Sequence, residues 1–254
     1  MNLFKSNLSK VFKVLGLVVY SVILTTCGSD SDNSVGFATG SCSGTTILSI
    51  WSGNQLSSTD NSKYLGDIVA YTDTAENPKS PSENYNHKSA SVNLTYGPTA
   101  TADHGSVFFY YEHTDPTQLY FFYFFGVEGG NETNTVNWDI LTVNNSSLDG
   151  VMVTDDKNEA VRIDQVESNG KYASTYKGRY WYKKNSDGAV LGPFTGRDFR
   201  IYVRLTGESS LTGDTLGLGG LDSMKYYSSD GQSISLGDKG EFTIGYMDSI
   251  SCTP

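Results

Sequence analysis

The chain has 254 residues, enough for one large β-domain or two smaller ones, and carries 18 Lys and Arg against 28 Asp and Glu, a net charge of −10. Nine Ala against 17 Tyr, 12 Phe and 27 Gly is poor in helix formers and rich in strand and turn formers, and 13% aromatic residues excludes a disordered chain. The acidic balance excludes a protein built to grip phosphate backbones, so no nucleic-acid partner is expected.

Lys5, Lys10 and Lys13 precede an apolar run from Val14 to Leu24, the basic and apolar regions of an export signal. That run is too short to cross about 30 Å of hydrocarbon. It leads into Leu24-Thr25-Thr26-Cys27-Gly28, which resembles the lipobox of bacterial lipoproteins: an aliphatic residue three before a Cys, with small residues between. Thr26 departs from the Gly, Ala or Ser that the family favours there. The resemblance implies removal of residues 1–26 and acylation of Cys27, so that the membrane is a partner through lipid. Gly28, in place of the Asp that marks inner-membrane retention in many Gram-negative lipoproteins, implies the outer membrane or cell surface. An ordinary secretory signal cut nearby is the other reading of the same run. Residues 27–41, rich in Ser, Asp, Gly and Asn, read as a flexible tether. Loss of the signal leaves 15 bases and 28 acids, a net charge of −13.

If Cys27 carries lipid, Cys42 and Cys252 remain to pair, and export permits the bond. Closing so long a loop contributes at most about 5 kcal/mol, and requires the first and last strands to be neighbours. Two unpaired thiols are the alternative.

From residue 42 to 254 there is no linker and no fixed-period repeat, so this stretch reads as a single domain. Strands are expected, in order, at Thr45–Trp51, Ile68–Tyr71 and Ser91–Tyr96. The polar segment Thr74–His87 between the last two reads as a long surface loop. Val107–Tyr111 and Leu119–Val127 are apolar on both faces and flank His113-Thr-Asp-Pro-Thr117, so they predict a hairpin buried from both sides or covered by loops. Further strands follow at Trp138–Val143, Gly150–Val153 and Val161–Val166. Tyr180–Leu191 predicts a hairpin with Asp187-Gly188 as its turn. Phe199, Ile201, Val203 and Leu205 alternate with Arg200, Tyr202 and Arg204, which predicts one face in the core and one in water. Ser223–Tyr227 and Phe242–Ile250 complete the set. With no amphipathic helix and many turn residues, the fold class is all-β, a two-sheet antiparallel sandwich or jelly roll with first and last strands adjacent.

Chemical motifs are sparse. His-Glu-x-x-His, paired Cys-x-x-Cys, Gly-x-Ser-x-Gly and phosphate loops are absent, and no two acids stand out as a glycosidase pair. His87, His104 and His113 sit in turn-like contexts and read as solvated. Asp248 shares the phase of Phe242, Ile244, Tyr246 and Ile250, and a carboxylate facing a core calls for a partner or a metal. A bulge near Gly245 or a Lys or Arg partner is the plainer reading. The pattern Phe242–Ile250, aromatic-x-Ile-x-aromatic-x-Asp-x-Ile, resembles the closing strand of jelly-roll carbohydrate-binding modules. The resemblance implies a structural Ca²⁺ on Asp248. Candidates for holding a sugar are Trp181 with Tyr180 and Tyr182, and Trp138, for which burial is the plainer reading. Arg200 and Arg204 are candidates for gripping an anionic ligand. Arg179, Trp181 and Lys183 share one phase of their strand. The expected function is non-catalytic binding at the cell envelope, with a glycan as ligand. A structural or adhesive role toward a surface or matrix protein is the second expectation, and a polysaccharide-degrading enzyme the third.

Overall fold

The computed structural model describes residues 47–88, 91–92, 94–98, 104–125, 133–154, 160–183, 187–206, 223–237 and 240–246. Sixteen strands are placed in them. The first five are β1 (Ile47–Ser52), β2 (Tyr64–Val69), β3 (Tyr71–Thr72), β4 (His87–Lys88) and β5 (Ser91–Val92). Then come β6 (His104–Tyr111), β7 (Leu119–Phe125), β8 (Thr133–Asn145), β9 (Gly150–Thr154), β10 (Ala160–Ser168) and β11 (Lys171–Lys183). The last five are β12 (Asp187–Phe194), β13 (Arg200–Thr206), β14 (Ser223–Tyr227), β15 (Ser233–Gly237) and β16 (Glu241–Gly245). One short helix, α1 (Pro81–Tyr85), interrupts them.

Two open sheets carry the fold. One has the order β10-β11-β8-β13-β16-β1-β2; the other runs β15-β14-β6-β7-β12-β9, with β3 beside β6. All ladders but β14–β6 and β3–β6 are antiparallel. The chain passes repeatedly between the sheets, so this is the expected two-sheet sandwich. β1 and β16 are neighbours, with Ser49 opposite Gly245.

The core lies between the sheets. Leu48, Ile50, Trp138, Ile140, Ile201, Val203, Leu205, Phe242 and Ile244 face inward from one sheet, and Val107, Phe109, Phe121, Tyr123, Leu191 and Tyr226 from the other. The doubly apolar hairpin β6–β7 explains itself on this frame, because its second face is also covered. Phe108, Tyr110, Phe122 and Phe124 form a second cluster closed by Tyr85 from α1. The segment Thr74–His87, expected to be a long surface loop, therefore caps the hairpin through Tyr85. Ser80 starts α1 with a capping box to Glu83 and Pro81 opens its first turn. Asn84 clamps the backbone of Tyr96, donating to its carbonyl (2.9 Å) and accepting from its N–H (2.7 Å).

Two further expectations are corrected. Asp187 and Gly188 do not form a turn: β11 ends in one sheet and β12 begins in the other, with Gly188 inside the ladder opposite Phe124. A Cβ at 188 would stand 2.2 Å from the Tyr123 carbonyl oxygen, so glycine serves close strand packing there. The true tight hairpin is β10–β11, turning on Asn169 (φ 54°) and Gly170 (φ 71°), the Asn-Gly pair of a type I′ turn. The polar face of β13 is also mostly covered, with Arg200 and Tyr202 buried and Arg204 half-buried. Residues 53–55 fold across it: Gln55 N–H donates to Thr243 Oγ1 (2.9 Å) and Thr243 Oγ1 donates to the Gly53 carbonyl (2.7 Å).

Candidate functional site

The turn joining β6 to β7 is held from behind by a buried carboxylate. Asp73 follows β3, which runs parallel to the end of β6 with Thr72 opposite Tyr111, so its side chain reaches that turn. Asp73 Oδ1 accepts from the His113 backbone N–H (2.6 Å) and lies 2.9 Å from His113 Nδ1, while Oδ2 accepts from the Lys79 N–H (2.7 Å). The Tyr110 hydroxyl donates to the Lys79 carbonyl and ties the cap segment to the same point. Burial opposes ionisation of Asp73, but the His113 and Lys79 donors outweigh it and hold the carboxyl below its ordinary range.

In front of this brace lies a polar recess of about 190 Å³ lined by Glu112, Asp115, Gln118 and Tyr120. Its walls are fixed by short bonds. Asp115 accepts from Thr117 Oγ1 (2.5 Å) and from Gln118 Nε2 (2.7 Å), and the Tyr120 hydroxyl donates to Gln118 Oε1 (3.1 Å). The polarity of the Gln118 amide is thus set from both ends. The two carboxyls are pulled in opposite directions. Burial, and then the neighbouring Asp73, Asp115 and Glu83, push Glu112 upward. The Thr117 hydroxyl bond, with the Thr117 N–H and Gln118, holds Asp115 down. Burial, with Glu112 and Asp115 nearby, raises Tyr120, so its phenol stays a donor. One small volume is therefore faced by an ionised acceptor, an acid biased toward its protonated form, an oriented amide and a phenol.

The residues singled out from sequence fall elsewhere. Trp138 is 2% exposed, stacked edge-on against Tyr123 in the core, and Gly178 lies under its ring; its candidacy as a sugar platform is withdrawn. Arg200 is 8% exposed, lies over the Trp51 ring (5.8 Å) and donates to the Gln55 carbonyl (2.7 Å), so it is spent on the fold rather than aimed at a ligand. Arg204 stands in register between Glu241 on β16 and Asp139 on β8, with Lys177 beyond Asp139. This alternating ladder neutralises itself. Tyr180, Trp181 and Tyr182 lie in β11 opposite Val136, Thr135 and Asn134; their side chains lie outside the described residues. So do Cys27, Cys42, Asp248 and Cys252. Among the described residues, no group of three or more His, Cys, Asp and Glu is placed to hold a metal ion.

Sequence reasoning missed the Asp73–His113 pair because forty positions separate them and no local spacing joins them. The recess itself left a signal: Glu112-His-Thr-Asp-Pro-Thr-Gln118 puts six polar side chains between two aromatic strands. Fold and recess together define an all-β sandwich protein with a small polar site at one hairpin end. No family model, no curated protein and no solved structure matches the chain.

Proposed function

We propose that this chain is an exported lipoprotein, anchored to the bacterial outer membrane through Cys27, whose sandwich binds a glycan without transforming it. The observation that carries the binding reading is the recess at Glu112, Asp115, Gln118 and Tyr120. Its fixed donors and acceptors suit a hydroxyl-rich ligand. Its volume, below the roughly 300–1,000 Å³ of drug-sized sites, suits a single sugar ring at a chain end or branch. The anchoring reading rests on the Leu24–Cys27 sequence. The Cys42–Cys252 bond is supported by the antiparallel register of β1 and β16, which sets the start of β1 beside the end of β16. Calcium at Asp248 stays a proposal on the sequence pattern alone.

A glycan array probed with detergent-solubilised full-length protein tests the binding reading. The expected result is a restricted set of bound glycans, lost in Gln118→Ala, which removes the oriented amide from the recess wall. Binding unchanged by Gln118→Ala, or no bound glycan, contradicts it. The opposite pulls on Glu112 and Asp115 favour one second reading, glycoside hydrolysis with Glu112 as proton donor. Release of shorter products from a bound glycan, abolished in Glu112→Gln, is the result that selects it.

A further inference from the structure

The recess at the β6–β7 turn is rich in acceptors and poor in donors. Asp115 Oδ1 accepts from the Thr117 N–H (3.2 Å) and from the Thr117 hydroxyl (2.5 Å). Its Oδ2 accepts only from Gln118 Nε2 (2.7 Å), which leaves room for one more donor. The half-buried Glu112 carboxyl is bonded by no donor among the described residues, although the Glu112 backbone carbonyl is taken by the Asp115 N–H (2.9 Å). Against these open acceptors the walls offer one free N–H on the Gln118 amide, since the Tyr120 hydroxyl is committed to Gln118 Oε1 (3.1 Å). A ligand that fits the recess therefore brings donors of its own.

Other covered carboxylates of this fold are closed by the protein itself. Asp149, buried, accepts from Thr142 Oγ1 (3.0 Å), Ser174 Oγ (2.8 Å) and Gln165 Nε2 (3.3 Å). Asp73 accepts from the backbone N–H groups of His113 and Lys79. Glu112, one residue from that brace, is left open.

Charge points the same way. Residues 104–125, which form β6, the turn and β7, contain no Lys or Arg. Asp73, Asp115 and Glu83 all act on Glu112, opposed by His113, whose Nδ1 is turned toward Asp73. Lys79 in the cap segment acts on Glu83 and reaches Asp73 through its backbone N–H. An anion entering the recess meets like charge with no base on the turn to receive it, which is selection by repulsion. A neutral hydroxyl brings one donor and no charge. An ammonium brings three donors, no acceptor and a positive charge, so it answers both deficits at once.

We infer that the recess selects sugars bearing a free amine, with the ammonium shared by Glu112 and Asp115 and a ring hydroxyl on the free Gln118 N–H. This inference deepens the glycan reading and rests on it. It also reverses the charge of the ligand that Arg200 and Arg204 suggested. Detergent-solubilised full-length protein is titrated in a calorimeter with glucosamine oligomers and with N-acetylated oligomers of the same length and linkage. The titrations are run at about pH 6, below the roughly 7.7–8.0 of a simple α-amino group, so that the amine is charged. The expected result is about tenfold tighter binding of the free-amine oligomer, the scale of one hydrogen bond to a charged group. Glu112→Gln should bring the two affinities within about twofold of each other. Asp164→Asn, which neutralises an exposed acid on β10 in the other sheet, should leave the ratio unchanged. Equal affinities in the unaltered protein overturn the inference, and so does a preference that survives Glu112→Gln. A preference lowered as much by Asp164→Asn also overturns it, because the attraction then belongs to the acidic body as a whole. Binding confined to neutral or acidic glycans overturns this inference alone and leaves the glycan reading standing, whereas no bound glycan of any kind overturns both.

Discussion

Burial and the charge on Asp73 oppose ionisation of Glu112, and the two carboxyls are shifted in opposite directions. Asp73, held low by its three donors, adds stability that is fully present above the ordinary carboxylate range and is lost as pH falls through its lower folded value. Asp73→Ala should therefore destabilise the protein at pH 7 and matter progressively less as the medium turns acid. Denaturant midpoints measured across pH check this. Glu112, raised in the folded state, behaves in the other sense, since its ionisation costs stability as pH rises through and beyond the usual carboxylate value. Glu112→Gln should raise the melting temperature at pH 7 and leave it unchanged well below pH 4. Asp149 is a different case, buried and satisfied by three side-chain donors. Asp149→Ala strands the Thr142 and Ser174 hydroxyls and should cost about 3 kcal/mol in denaturant unfolding.

At the scale of elements, most strands were legible because period-2 alternation and aromatic runs report burial directly; β15 was not expected, and the strand expected at Ser91–Tyr96 is a strand only at Ser91–Val92. Val107–Tyr110 and Leu119–Phe125 are buried on both faces as their composition requires. Their second cover was not legible, because what fits Tyr85 over Phe108 and Phe122 is a tertiary pairing absent from any local pattern in Thr74–His87. Turn chemistry misled in one place and was overlooked in another. Asp187-Gly188 has the composition of a hairpin turn, yet Gly188 is there for strand contact, while Asn169-Gly170 makes the turn with both residues in the left-handed region. The polar phase of β13 was legible but its solvent exposure was not, since the cover over Arg200 comes from residues 53–55. Two substitutions test this packing by thermal or denaturant unfolding. Tyr85→Ala should cost about 3–5 kcal/mol by emptying the second cluster. Gly178→Ala, whose Cβ would meet the Trp138 ring at 2.2–2.5 Å, should cost about 1–3 kcal/mol.

For the whole molecule, the architecture follows from a chain too rich in Tyr, Phe, Gly and β-branched residues to build helices and too apolar in alternate positions to leave its strands unpaired. Two seven-stranded layers bury those residues, and acids gather around the recess at the β6–β7 turn. The site was the less legible part because it depends on parts brought together by topology, β3 beside β6 and the cap beside both. Candidate ligand contacts chosen by residue type, Trp138 for a sugar and Arg200 for an anionic ligand, are taken by the core and by the loop over β13. Among the described residues, the recess is the place we propose for a ligand. Backbone amide shifts of isotopically labelled protein, titrated with glycans selected on the array, test this most directly. The account predicts saturable shifts centred on Glu112–Tyr120, with Trp138, Arg200 and their strand neighbours unmoved. Shifts centred on another surface, with Glu112–Tyr120 silent at saturation, would contradict it.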